Sequence, residues 1–269
     1  MSPDLQAKFD SLRSGLRRLG RLAIAYSGGV DSTFLLRVAS ETLGPENVLA
    51  ITAASPVTPA SEMRRAQEMA AQMGVTHLVV QSGEFADAGF RSNPPDRCYI
   101  CKRIRFEQLI ALARERGFEH LADGTNVDDM GDYRPGLKAA EELGVLSPLR
   151  DAGMGKADIR AASRLLGLPT ADLPSFACLA SRVPYGTPLT EAVLARIERG
   201  EEMLSQLGLH QYRLRDHGDM ARIEVPPEDF ALLLAQRESL VQQLKQLGYH
   251  YVTLDLAGYR TGSMNETLA

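Results

Sequence analysis

A chain of 269 residues, 44% of them hydrophobic, has the length and apolar content to bury one large core or a large and a small one, which excludes global disorder. Its net charge of -4 argues against a general nucleic-acid or anionic-membrane binder, because such proteins carry a basic excess against phosphate. Three cysteines do not make a disulfide framework, so they point to metal or sulfur chemistry in a reducing, cytoplasmic setting.

The opening MSPDLQAKFDSLRSGLRRLG reads as a helix whose Arg13, Arg17, Arg18 and Arg21 form a solvated face. It has no apolar core of signal-peptide length, and no later stretch approaches ~18 uninterrupted apolar residues, so no membrane segment is expected. RLAIAY then reads as a strand, Ser27-Gly28-Gly29 as a turn, and VDSTFLLRVASETLG as a helix with Val30, Phe34, Leu35, Val38 and Leu43 on its apolar stripe. The alternation continues through NVLAITAA, SEMRRAQEMAAQMG, THLVVQ, CKRIRFEQLIALARERG and HLADGT. Strands separated by helices of this length pair in parallel through right-handed crossovers, which predicts an α/β doubly wound sheet. Ligands bind such sheets beyond the carboxyl ends of the strands, so residues 27–32, 53–56 and 123–129 are expected to line one crevice.

The stretch around Pro169, Pro174, Pro184, Gly186 and Pro188 reads as a linker carrying Cys178, followed by a long helix over 189–208. This divides the chain into a domain of residues 1–185 and a smaller α+β domain of residues 186–269. The second should hold a hairpin turning at His217-Gly218-Asp219, a helix from Pro227 to about residue 247, and a last strand YHYVTLDL.

The turn Ser27-Gly28-Gly29-Val30-Asp31-Ser32 suits a pyrophosphate, since glycines let the backbone approach an anion while helix N-terminal amides and hydroxyls donate to it. A plain connecting turn would account for Gly28 and Gly29 but not for Ser27, Asp31 and Ser32 around them. The lysine of the P-loop pattern is absent, which disfavours terminal phosphoryl transfer. The motif SGGxDS resembles that of the PP-loop ATP pyrophosphatases, which implies ATP cleavage to AMP and pyrophosphate with Asp31 helping to hold Mg²⁺. By the same resemblance Gly124, Thr125 and Asp128 would line the nucleotide site, although an Asp/Asn/Gly cluster also reads as an ordinary capping turn.

Cys98 and Cys101 form a C-x-x-C at the start of a helix, with Arg97, Lys102 and Arg103 close by to favour thiolates, while Cys178 stands apart. The residues alone allow a reversible dithiol with a bystander, a three-ligand metal site, or one reactive cysteine with two accessories. The segments RCYICK, ADGTNVDD, CLASRVPYGTPLT and YRLRDHGDMARIEV resemble the LarE family of sulfur transferases across residues 22–268. That resemblance implies adenylylation of the carboxylates of pyridinium-3,5-biscarboxylic acid mononucleotide and their conversion to thiocarboxylates for the nickel-pincer nucleotide cofactor of lactate racemase. One branch consumes a single cysteine, matching Cys178, and leaves dehydroalanine. A three-cysteine branch implies instead a [4Fe-4S] cluster on Cys98, Cys101 and Cys178, with one iron open to carry an extra sulfide, whereas a closed zinc site normally takes four protein ligands.

Either way Cys178 and Asp31 are the expected catalytic residues. Arg213 and Arg215, two apart on a strand, share a face suited to a substrate phosphate, and the family places phosphate contacts on this hairpin. Arg182 is a third candidate, with Glu202 and Glu224 as weaker acidic ones. The resemblance also implies a small-molecule nucleotide substrate, a homo-oligomer, an upstream carboxylase and a downstream nickel-inserting enzyme. The competing functions are an ammonia-using NAD or GMP synthetase, a tRNA thiolase or lysidine synthetase, and a non-catalytic nucleotide-binding module. The acidic balance opposes stable nucleic-acid binding.

Overall fold

The amphipathic opening segment becomes helix α1 (Pro3–Leu19), started by Ser2, whose hydroxyl accepts from Leu5 N at 3.3 Å, and burying Leu5, Phe9, Leu12 and Leu16 on one face. In the computed structural model, residues 1–131, 135–174, 177–260 and 262–264 are described, and the chain forms two units. The first is Met1–Asp87 with Asp96–Ser175, and the second is Ala88–Pro95 with Phe176–Ala269. The chain passes into the second unit ahead of residue 185, and the short piece 88–95 joins that unit from the far side of the sequence.

The first unit continues with β1 (Leu22–Ala25), α2 (Val30–Leu43), β2 (Val48–Ala54), α3 (Ala60–Gln72) and β3 (Thr76–Gln81). Helix α4 (Ala88–Arg91) belongs to the second unit, after which α5 (Arg97–Glu115), β4 (Leu121–Ala122), α6 (Pro135–Glu142), α7 (Pro148–Asp151) and α8 (Lys156–Leu165) complete the first. The sheet order is β3-β2-β1-β4, every neighbour parallel, as the alternation of strands and helices predicts. β1 and β2 are central and buried almost throughout, whereas β3 is an edge strand with Thr76, Val79 and Gln81 exposed. Apolar clusters cover both faces, one built on α1, α2 and α8 and one on α5. Among the described residues no helix is long and apolar enough to cross a membrane.

The second unit holds α9 (Glu191–Gln206), β5 (Arg213–His217), β6 (Met220–Glu224), α10 (Phe230–Ala235), α11 (Arg237–Gln246) and β7 (Tyr251–Leu254). β5 and β6 form the expected hairpin around Gly218, whose φ of 73° is a left-handed turn geometry. The single helix expected from Pro227 is broken into a 3₁₀ turn, α10 and α11, with the break at Gln236. β7 returns parallel to β6, so this small sheet is mixed.

Candidate active site

The strand-to-helix turn after β1 is where the phosphate-suited residues lie. Gly28 has φ of 71°, and a Cβ there would stand 2.8 Å from Ala66 Cβ on α3, so only glycine fits both the conformation and the contact. Ser27 Oγ lies 3.0 Å from Ser32 Oγ and accepts from Gly29 N at 3.3 Å, while Arg65 Nε donates to Gly28 O at 3.2 Å. The turn is thus a nest of small donors opening the N-terminus of α2.

Asp31, in the first turn of α2, is held at Oδ2 by Lys156 Nζ at 2.5 Å. Its Oδ1 is buried and meets no hydrogen-bond donor among the described residues. Burial pushes the Asp31 carboxyl above its ordinary range, against the opposing pull of Lys156, and the nearby Asp129 charge adds to the rise. A carboxylate oxygen kept dry and unpartnered beside phosphate-binding amides is a donor suited to Mg²⁺, so the residues present fit that ion. Lys156 gave no motif signal, because it stands 125 positions from its partner.

The end of β4 closes against this turn: a Cβ on Gly124 would lie 3.0 Å from Ser32 N and 3.2 Å from Asp31 Cβ. Asp123 is 6% exposed and accepts from Thr125 N at 3.0 Å, Thr125 Oγ1 at 2.7 Å and Ser147 Oγ at 3.0 Å. The structure therefore places Thr125 in a buried turn locked by Asp123. Asp128 is exposed and accepts from Lys156 N at 2.7 Å, so it caps the start of α8 and fixes the residue that reaches Asp31. Residues 27–32 and 123–129 thus meet around the Asp31 carboxylate.

At the ends of β2 and β3, Glu84 is fully buried and accepts from Arg105 Nη2 at 2.6 Å, and Arg105 Nη2 also reaches Ser55 Oγ at 2.8 Å. Burial alone would raise the Glu84 carboxyl, but the Arg105 charge and hydrogen bonds hold it below the usual range. A depressed folded value contributes stability that is present above the ordinary value of 4.5 and lost as pH falls through the folded one. Glu84→Gln is expected to lower stability at neutral pH and to flatten its acid dependence, read from urea midpoints across the carboxylate range.

Cys98 and Cys101 lie in the first turn and a half of α5, three positions apart and so on one face, where the helix N-terminus favours thiolates. Cys178 precedes a 3₁₀ turn over Leu179–Arg182 in the second unit. None of the three is in a disulfide, and Cys98 and Cys178 are exposed. Among the described residues no group of three His, Cys, Asp or Glu side chains is assembled for a metal ion. As a donor set, three reduced thiols suit an iron-sulfur cluster.

Arg182, expected to contact phosphate, is engaged by protein groups. It is 1% exposed, with Nε and Nη2 each 2.8 Å from the two Glu201 oxygens, and Nη1 donates to the carbonyls of Ala177 and Cys178. A guanidinium so enclosed fixes the backbone of the Cys178 turn. The acid involved is Glu201, while Glu202 is exposed. Arg213 is buried over the Tyr259 ring at 5.2 Å, and burial, helped by the Arg182 charge, lowers its proton affinity. Arg215 bonds Glu224 Oε2 at 2.7 Å, Ser263 Oγ at 2.9 Å and Ser181 O at 2.9 Å. Arg222 Nη2 also donates to Glu224 Oε1 at 3.0 Å, so the second unit gathers Arg182, Arg213, Arg215 and Arg222 around Glu201 and Glu224.

A family model described as NAD synthase matches residues 6–119. An uncharacterized protein of Synechocystis is 43% identical over 266 residues, which cover 98% of this chain and 99% of that one. The pyridinium-3,5-bisthiocarboxylic acid mononucleotide synthase of Lactiplantibacillus plantarum is 37% identical over 264 residues, 98% of this chain and 96% of the relative. An uncharacterized protein of Methanocaldococcus jannaschii is 30% identical over 241 residues, 90% of this chain and 91% of the relative.

Proposed function

The chain belongs to the LarE-type family of PP-loop enzymes that includes the pyridinium-3,5-bisthiocarboxylic acid mononucleotide synthase, and from that membership we propose that it activates the substrate's carboxylates with ATP and exchanges oxygen for sulfur. The proposed substrate is pyridinium-3,5-biscarboxylic acid mononucleotide, and the product serves the nickel-pincer cofactor of lactate racemase. The observation that supports this reading is the half-buried Asp31 carboxylate, one oxygen on Lys156 and the other buried without a donor among the described residues, at the mouth of a glycine and serine turn.

In the first step a substrate carboxylate oxygen attacks the α-phosphorus of ATP, and the bond to the bridging oxygen breaks as pyrophosphate leaves with the electron pair. Ser27, Ser32 and the Gly29 amide donate to the phosphates, Gly28 and Gly29 let the backbone approach them, and Asp31 would hold Mg²⁺, which would screen their charge. Gly124, Thr125 and Asp128 shape the opposite wall. Lys156, paired with Asp31, supplies the cation that the turn itself lacks and would offset charge on the departing pyrophosphate. Lys156→Met is expected to slow pyrophosphate release by about 10²-fold. Lys156→Arg should retain most of the rate, and equal rates for wild type and Lys156→Met would remove the lysine from this step.

In the second step a sulfur nucleophile attacks the acyl carbon and AMP leaves, since an acyl adenylate is an electrophile where the free carboxylate is not. A [4Fe-4S] cluster on Cys98, Cys101 and Cys178 would supply that sulfur as a sulfide on its open iron. The proposed grip on the substrate phosphate comes from Arg213 and Arg215, while Arg182 positions the Cys178 turn. A homo-oligomer, an upstream carboxylase, a downstream nickel-inserting enzyme and a cytoplasmic setting complete the proposal.

Iron and acid-labile sulfide per chain, measured on protein purified without oxygen, test the sulfur source. About four irons per chain, lost on Cys98→Ala, is the expected result. No iron, with Cys178 converted to dehydroalanine after one reaction, would make the chain its own consumed sulfur donor.

A further inference from the structure

Helix α3 lies directly on the turn that follows β1, and both belong to the first unit. A Cβ on Gly28 would stand 2.8 Å from Ala66 Cβ and 2.9 Å from Ala66 Cα, so the missing side chain is what lets the helix backbone come this close. The residue before Ala66 is Arg65, partly buried, whose Nε donates to Gly28 O at 3.2 Å. A trans peptide points its C=O and N–H in opposite directions. The guanidinium that draws Gly28 O to one side therefore aims the Gly29 amide to the other, where Ser27 Oγ accepts from it at 3.3 Å.

This bond uses Nε alone. The terminal nitrogens Nη1 and Nη2 of Arg65 make no hydrogen bond or ion pair among the described residues. Other arginines of the unit find an acid: Arg13 and Arg37 meet Glu41, Arg105 meets Glu84, and Arg150 meets Asp151. The Arg65 charge is nevertheless felt at the end of β1. Burial raises the pKa of the Tyr26 hydroxyl, and the hydrogen bond to Thr33 and the Arg65 charge pull against that rise. A partly desolvated cation, anchored at one nitrogen beside a nest of small donors and lacking a counterion, is suited to an anion seated on the turn. We propose that Arg65 binds the pyrophosphate portion of ATP through its terminal nitrogens while Nε holds the Gly28–Gly29 peptide. The proposal rests on the reading of this turn as the ATP site. Arg65 adds to the Lys156 ammonium a second cation from another helix, and its planar fork matches two phosphate oxygens where an ammonium is a point charge.

Calorimetric binding of ATP, AMP and inorganic pyrophosphate in Mg²⁺ buffer tests this without any sulfur chemistry. Arg65→Met is expected to weaken ATP and pyrophosphate about tenfold to a hundredfold, and AMP by less than about threefold. Pyrophosphate binding by Arg65→Met should also lose part of its salt dependence, because one cation has gone. Arg65→Lys should recover part of the affinity, whereas Arg65→Gln, a neutral donor for Gly28 O, should not. That comparison stands even if Arg65→Met lowers the melting point. Arg64→Met, one position away and exposed, should match wild type. Affinities of Arg65→Met within about twofold of wild type, or equal recovery by Gln and Lys, would overturn the proposal and leave the ATP site intact. Wild type that binds none of the three ligands would overturn the ATP reading of the turn and the role of Arg65 with it.

Discussion

Asp31→Asn is expected to lower ATP-dependent pyrophosphate release by about 10³-fold or more, the effect of losing several kcal/mol of charge stabilisation at the metal. The amide has the same shape, but it replaces a carboxylate whose Oδ1 is buried and meets no donor among the described residues. Folding should survive the change, because a neutral group meets less penalty in a site whose burial already raises the carboxyl, and Lys156 keeps partial solvent contact. A coupled pyrophosphate assay with the pyridinium dicarboxylate substrate reads the loss, and melting curves confirm the fold. Unaltered pyrophosphate release would take Asp31 out of the metal's coordination.

Glu201→Ala is expected to be the most destabilising single change in the second unit, at about 3–5 kcal/mol, because it strands a guanidinium that is 1% exposed. Glu201 also accepts from Leu214 N at 3.0 Å, so one carboxylate ties α9, β5 and the Cys178 turn. The melting transition should fall by more than about 10 °C. Alkylation of Cys178 should accelerate well below that transition, since Arg182 would lose the anchor that lets it hold the turn. A melting point within a degree or two of wild type would mean that the pair contributes little.

The first unit was legible because its signals are local. An apolar run, two glycines and an amphipathic helix follow each other without a break around Gly28, and each later strand begins after a helix of similar length. The hairpin at Gly218 was legible for the same reason. Pairings between distant segments were not. Lys156 reaches Asp31 across 125 positions, and the absent P-loop lysine was the only hint that a cation must come from elsewhere. Asn93 sits in a stretch, RSNPPD, that reads as loop, and nothing local marks it as the partner of residues 183–187.

The choice between neighbouring glutamates could have been made from helix phase. Leu194, Ile197 and Leu204 line the buried face of α9, and that spacing selects Glu201 rather than Glu202. The pairing of Arg182 with Glu201 spans 19 positions and gave no local signal either. The break at Gln236 and the parallel return of β7 depend on packing within the second unit, which no window of the sequence contains.

The most direct measurement is the mass of the pyridinium product after incubation with ATP, Mg²⁺ and the reconstituted protein, with AMP and pyrophosphate counted in the same reaction. The expected result is replacement of carboxylate oxygen by sulfur, with one AMP and one pyrophosphate formed for each sulfur delivered. Pyrophosphate release with no sulfur in the product, across iron-loaded and iron-free protein, would contradict sulfur transfer and leave only an adenylylating enzyme.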